Sequence, residues 1–314
     1  MPRPSHQRRP TLCLVEREVH RAKLGYRRSP QGRSTRVVSH RSVGRTRDTR
    51  VVPALMALIA WEAYAGRWTG QVPPLRPHAD SVEATARILQ AQPGNTLLLG
   101  VTPELAGLDR QIIAVDWAKS ALSDIWPGDT PNRHALLGDW RALPIPSRSV
   151  GSVMGDGSLN VVRWPNDARA VIDEIDRVLV EDGIAVLRTF VACEDREAVD
   201  AICDDVQNGR ETSFAAAKWR LAMALTDVEG NSATADVYDV FESAFPDRLD
   251  LTRATGWSAA TIAEIDAYRA SALHMAFPTR AMFETITAPK FGLRWIDVGA
   301  YPLAARCPLV VLTR

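Results

Sequence analysis

The stretch from Thr96 to Asp116, TLLLGVTPELAGLDRQIIAVD, decides the fold. It holds two short runs, Thr96–Leu99 and residues 111–115, that are apolar without a polar alternation. That pattern belongs to strands buried on both faces, as in a parallel sheet. One run stops at Gly100 and the other at Asp116, with a longer segment between them that can cross back as a helix. Strand, crossover and strand is the unit from which layered α/β domains are built.

The same rhythm continues outward. Residues 134–137 form a third apolar run ahead of Gly138-Asp139, and residues 150–154 a fourth ahead of Gly155-Asp156-Gly157. Residues 184–190 form a fifth after the turn Glu181-Asp182-Gly183. Residues 165–179 predict a helix, with Ala168, Val171, Ile172, Ile175 and Leu179 on one face and Pro165 in its first turn. Residues 81–90 predict another, with Ser81 as its N-cap. Residues 194–288 break the alternation and read as a helical insertion, with helices over 196–206, 214–225, 235–245 and 258–274. Two final strands follow at 293–298 and 309–313.

The ends of the chain differ in character. Of 38 Lys and Arg and 37 Asp and Glu, residues 1–50 hold 14 and 3, so a basic leading segment precedes an acidic body. Arg, Ser, Pro and Gly dominate that segment and no apolar period runs through it, so it reads as a disordered tail, dispensable for activity. A basic arm for nucleic acid or acidic lipid and a transit peptide are the other readings of it. Residues 51–314 form the folded domain, opening with a helix over 53–64 and a Gly/Pro-rich connector over 66–77.

The four cysteines form no CxxC pair and have no His at ligand spacing, so neither a disulfide framework nor a metal site is expected. A reducing, cytoplasmic setting suits them. No apolar run has the length of a membrane span.

Chemistry collects at the strand tips, where open α/β sheets bind ligands. Gly100 lets a ligand approach the backbone. Asp116, 16 residues on, can accept both hydroxyls of a ribose, and Trp117 sits beside it. Asp139 can accept from an exocyclic amine, and Trp140 can flank a flat base. Gly155 and Gly157 allow close packing on a ligand, and Asp156 can face an amino group. No GxGxxG follows the first strand, which argues against a dinucleotide phosphate cradle.

Taken together, these runs resemble the class I S-adenosylmethionine-dependent methyltransferases. Leu97 to Leu105 resembles the family's first motif, Ile113 to Asp116 its second, Gly138 to Pro144 its third and Val153 to Gly157 its fourth. Arg177 to Gly183 resembles the turn before the fifth strand. The resemblance implies a Rossmann-like three-layer sandwich, a seven-stranded mostly parallel sheet with its last strand antiparallel. It implies S-adenosylmethionine as cofactor, held by Gly100, Thr102, Glu104, Asp116, Trp117, Asp139, Trp140, Gly155, Asp156 and Gly157. The first motif departs from the family pattern: Leu98, Thr102 and Glu104 stand where an acid and two further glycines are usual. Thr102 and Glu104 would then offer a hydroxyl and a carboxylate to the cofactor's ammonium, and Arg76 would cover the site.

In-line methyl transfer to a small-molecule acceptor follows from the resemblance, with the insertion roofing the acceptor. His274, Tyr268, Trp257 and Arg188 are candidate lining residues, and His274 and Tyr268 the candidate catalytic ones. The acidic body and the absence of an Asn-Pro-Pro-Tyr or Asp-Pro-Pro-Tyr run after the fourth strand disfavour nucleic acid. A noncatalytic binding domain of the same fold, and a nucleic-acid-associated protein using the basic tail, remain the alternatives. Nothing in the sequence sets the oligomeric state.

Overall fold

Successive side chains of a strand point to opposite faces, so a run such as Leu97-Leu98-Leu99 must be covered on both. A computed structural model, which describes residues 68–314, shows how. The tail expected over 1–50 and the helix expected over 53–64 lie outside the described residues. Leu97 and Leu99 pack into one buried cluster with Ile172 and Phe283, and Leu98 packs into another with Leu89 and Leu105. Helices therefore cover both faces of the sheet.

Among the described residues the first α-helix is α1 (Ala79–Leu89), followed by β1 (Thr96–Leu99), the single turn α2 (Pro103–Ala106) and β2 (Ile112–Asp116). Then come β3 (Arg133–Leu137), β4 (Val150–Asp156), α3 (Asn166–Val178) and β5 (Leu179–Arg188). In α3 the buried positions Ala168, Val171, Ile172, Ile175 and Val178 recur every three or four residues, with Asp167 in the first turn and Arg177 in the last. The chain ends on β8 (Gly292–Ile296) and β9 (Leu309–Thr313).

These strands form one sheet in the order β3-β2-β1-β4-β5-β9-β8. The first five are parallel; β9 runs antiparallel to β5 and β8 antiparallel to β9. The fold is thus a Rossmann-like α/β sandwich with a seven-stranded, mostly parallel sheet. The strand order reverses between β1 and β4. A crevice opens at such a reversal, outside the strands' carboxyl ends.

Between β5 and β8 lie α4 (Val199–Gln207), α5 (Phe214–Ala224), α6 (Thr234–Ala244), α7 (Arg248–Thr255), α8 (Ala259–Ala263) and α9 (Arg280–Thr287). Apart from α9, these helices bury a core of their own, with Ile202, Trp219, Phe241 and Ile262. Three differences from the sequence reading stand out. Residues 258–274 are not one helix: α8 passes into a 3₁₀ turn at Glu264–Tyr268 and then into the strand β7 (His274–Ala276). Strand β7 pairs antiparallel with β6 (Asn231–Ala233), a two-stranded sheet that no local apolar run announces. The fifth strand also starts at Leu179 rather than after Gly183, with a register shift against β4 and Asp182 in the left-handed region at φ 62°.

Two buried asparagines lock the insertion to the sheet. Asn160 donates from Nδ2 to the carbonyls of Phe190 (2.8 Å) and Ala276 (2.6 Å), and its Oδ1 accepts from the Phe190 amide (3.0 Å). Asn231 clamps the Trp164 backbone through both its amide groups, at 2.9 and 3.0 Å. Among the described residues no helix is long and apolar enough to cross a membrane.

Candidate functional site

The tips of β1, β2 and β4 open into one cleft enclosing about 1070 Å³, its open mouth included. Gly100, Thr102, Asp116, Trp117, Trp140, Asp156 and Gly157 all line it. Gly100 has φ +104°, a backbone conformation closed to most L-residues. A side chain there would put its first carbon 3.8 Å from the Trp140 ring and 3.9 Å from Asp116 Oδ2. Its missing Cβ leaves space between these two groups.

Trp140 is pinned by its indole N–H, which donates to the Val115 carbonyl at 2.6 Å. Its ring is thereby held as a wall of the cleft. Asp116 is nearly buried; the Ala118 amide donates to its Oδ1 at 2.8 Å. Burial pushes its carboxyl up to about 6, against the pull of the Ala118 and Trp117 backbone amides, which favour the charged form.

Asp156 is held from below. The Arg188 guanidinium donates through Nε to its Oδ1 at 2.5 Å and through Nη2 to the Pro74 carbonyl at 2.9 Å. Both side chains are buried, at 2% and 4% exposure. Burial raises the Asp156 carboxyl, the neighbouring Arg188 charge opposes that rise, and Glu104 adds to it. Arg188 also ties the segment around Pro74 to the tip of β5. A second arginine does the same on the other side: Arg76 donates from Nε to Glu104 Oε1 at 2.7 Å and lies over the Trp68 ring. Buried polar atoms nearby that have no partner among the described residues include Trp68 Nε1, Glu104 Oε2 and Arg188 Nη1.

Three expected residues stand elsewhere. Asp139 does not line the cleft; Arg141 holds its carboxylate from both guanidinium and amide, and this hydrogen bonding keeps it below the usual range. Glu104 faces Arg76 rather than the cleft wall. Gly155 is required by packing and is absent from the cleft lining: a Cβ there would meet Ser158 Oγ at 2.4 Å. Gly157 does line the cleft, with φ +62°, and a Cβ on it would meet Phe190 at 2.8 Å.

The insertion supplies the remaining wall through Trp219, Thr234, Tyr268, Leu273 and Met275. Of the candidates named from sequence, Tyr268 belongs to this wall. Trp257 is buried in the insertion core, its indole N–H donating to the Thr212 carbonyl. Arg188 lies beneath the floor. His274 is not in the lining either, although its chain neighbours Leu273 and Met275 are. The pleat of β7 explains this, since neighbouring side chains of a strand face opposite ways. The His274 Nδ1 lies 3.2 Å from the Ala272 carbonyl. Trp68, Trp219, Thr234, Leu273 and Met275 have no local signal that could single them out, because distant packing brings them to the cleft. Among the described residues no group of three or more His, Cys, Asp and Glu side chains is arranged to hold a metal ion.

No family model and no curated protein matches the chain. Solved structures do. One is a putative Zn-dependent alcohol dehydrogenase from Rhodobacter sphaeroides, 14% identical, covering 82% of this chain and 98% of its own, with a TM-score of 0.53. Two others are S-adenosylmethionine-dependent methyltransferases. The one from Methanosarcina mazei is 12% identical over 76% of this chain and 98% of its own, at a TM-score of 0.44. The one from Mesorhizobium loti is 12% identical over 75% and 99%, at 0.43. At such identities the likeness is one of fold. The seven-stranded sheet with its last strand antiparallel to β5 is the fold that the resemblance read from the sequence motifs implies.

Proposed function

We propose that the chain binds S-adenosylmethionine in the strand-tip cleft and transfers its methyl group to a small-molecule acceptor. The observation that carries this is the charge of the lining. Among the described residues the carboxylates of Asp116 and Asp156 line the cleft, and no Lys, Arg or His does. A cofactor with a sulfonium and an ammonium is complementary to such a lining. A dinucleotide, with two negative phosphates, is not. The helix after β1 is a single turn beginning at Pro103, which has no N–H to offer a phosphate.

The residues fit the cofactor part by part. Asp116 accepts from the ribose hydroxyls, and its distance from Gly100 leaves the backbone open to the nucleoside. Trp117 and Trp140 flank the base. Asp156, braced by Arg188, faces the ammonium, with Thr102 beside it. The unpartnered Trp68 Nε1 is a donor for the cofactor's carboxylate. When bound, the cofactor supplies an electrophilic methyl carbon. The protein aligns the acceptor with it and excludes water, through the insertion wall on one side and residues 68–76 on the other.

The deciding experiment is calorimetry with S-adenosylhomocysteine and, separately, NADH. The homocysteine compound binds on this reading and NADH does not. Asp116→Ala weakens the former by about 1.5–3 kcal/mol, the usual cost of losing one charge-assisted partner. Tight NADH binding without S-adenosylhomocysteine binding would overturn the proposal.

A further inference from the structure

The cleft changes character along its length. On the β2 side stand Asp116, Trp117 and Trp140. On the β5 side stand Phe190, Trp219, Thr234, Tyr268, Leu273 and Met275. This second half has no carboxylate, amine, guanidinium or imidazole in its wall. The charged groups nearest to it in the chain are engaged elsewhere. Lys218 pairs with Glu264 at 3.1 Å, and its ammonium lies between the Phe214 and Tyr268 rings, 4.8 and 5.8 Å from their centroids, outside the lining. Arg188 holds Asp156 and the Pro74 carbonyl; its guanidinium lies behind the wall over the Phe190 ring, 4.7 Å from the centroid, with Nη1 unpartnered among the described residues but outside the lining. The Thr234 hydroxyl donates to the Leu273 carbonyl at 3.1 Å. Phe190 and Trp219 meet edge to face, with ring centroids 3.8 Å apart, and both are buried.

Resting on the methyltransferase reading above, we infer that the acceptor is a ring compound with no charged substituent, which brings its own nucleophile as the anion of a thiol or an acidic phenol. Three physical points support this. A charged substituent placed against this wall would lose its hydration and find no charged partner in the lining, since the nearest cations, Arg188 and Lys218, lie behind the rings of Phe190 and Tyr268. Aromatic side chains pack flat or edge-on against rings and add to area burial. Among the described residues no carboxylate or imidazole belongs to this half, so the proton leaves to bulk water before binding. An anion and a sulfonium then react to give two neutral products. The acceptor's lone pair forms the new bond to the methyl carbon, while the old carbon–sulfur bond breaks and its electron pair stays on the cofactor's sulfur. An apolar wall favours that cancellation of charge over transfer to a neutral nucleophile, which would leave a cation stranded in it.

Methylated products serve as binding probes that need no turnover. Protein saturated with S-adenosylhomocysteine is titrated by calorimetry with thioanisole, 4-(methylthio)benzoate and 4-(methylthio)benzylamine. Thioanisole binds, and each charged counterpart binds at least about tenfold more weakly. Met275→Glu abolishes thioanisole binding and keeps S-adenosylhomocysteine binding, which shows that the variant is folded; Met275→Leu keeps both. In turnover, thiophenol is methylated with a kcat/KM that rises with pH through the thiol's own ionisation and then levels. Equal or tighter binding of either charged probe, or no binding of thioanisole while S-adenosylhomocysteine is bound, overturns the inference and leaves the cofactor assignment standing. Failure of S-adenosylhomocysteine itself to bind removes both.

Discussion

Lowering the pH from 8 to 5 weakens binding of S-adenosylhomocysteine by about tenfold, and Asp116 is the reason. In the free protein its carboxyl titrates at about 6 because it is buried, with the Ala118 and Trp117 amides only partly offsetting the lost hydration. Only the ionised form offers two charge-assisted acceptor oxygens to the two ribose hydroxyls. At pH 8 nearly every molecule is ready to bind; at pH 5 about one in eleven is, which corresponds to about 1.4 kcal/mol. The same shift acts on stability with the opposite sign. The folded-state value lies above the ordinary 3.8, so the contribution to stability is complete below 3.8 and is lost as pH rises through about 6. Above that range the ionised group costs the unliganded protein on the order of 3 kcal/mol. Asp116→Asn keeps an oxygen for the Ala118 amide and removes the charge. The variant is therefore more stable than the parent at pH 8 by up to that amount, binds S-adenosylhomocysteine more weakly, and loses the pH dependence of binding. Calorimetry between pH 5 and 8 in two buffers of different ionisation enthalpy reads affinity and proton release together, and urea titrations read the stability. A flat affinity profile in the parent, or a slope that persists in Asp116→Asn, would refute the reasoning; the second result would move the titration to Asp156.

Four further outcomes are expected. Arg188→Met leaves the Asp156 carboxylate buried and unpaired and costs about 3–5 kcal/mol in urea denaturation at pH 8, with a smaller loss at pH 5, where Asp156 can take up a proton. Asn160→Ala strands the carbonyls of Phe190 and Ala276 and the Phe190 amide, and lowers stability by about 3 kcal/mol by the same assay. Gly100→Ala forces an L-residue to φ +104° and fills the space between Trp140 and Asp116; it costs about 1–3 kcal/mol in stability and abolishes S-adenosylhomocysteine binding in calorimetry. His274→Ala leaves cofactor affinity and turnover within about twofold of the parent, because the imidazole lies outside the cleft lining; a loss beyond tenfold in kcat would restore it as a catalytic candidate.

The parallel strands and the chemistry at their tips were legible in the sequence because both are local. An unalternated apolar run such as Leu97 to Leu99 needs cover on both faces wherever it lies, and a Gly or Asp just beyond it falls at the strand's carboxyl end. That logic places Gly100, Asp116, Trp140, Asp156 and Gly157 on the cleft. Other assignments depend on which partner comes near in space. Asp139 has the spacing of a base-binding carboxylate, yet Arg141 occupies it. Glu104 has the position of a cofactor ligand and is engaged by Arg76. Gly155 keeps its place for Ser158. His274 follows from a pairing between residues 231–233 and 274–276 whose strands are too short to leave a periodic signature.

By itself, then, the sequence determined the layered α/β class, the strand tips and the acidic groups there, since burial on two faces and residue type suffice for these. The tertiary structure alone decided which of those groups face the cleft, and it assembled the cleft's far wall from Phe190, Trp219, Thr234, Tyr268, Leu273 and Met275. The physical reason is separation along the chain. Hydropathy period reports only the face a residue turns toward its own element's neighbours, whereas a wall built from positions 190 to 275 exists only once the insertion has folded back and the buried asparagines have fixed it to the sheet.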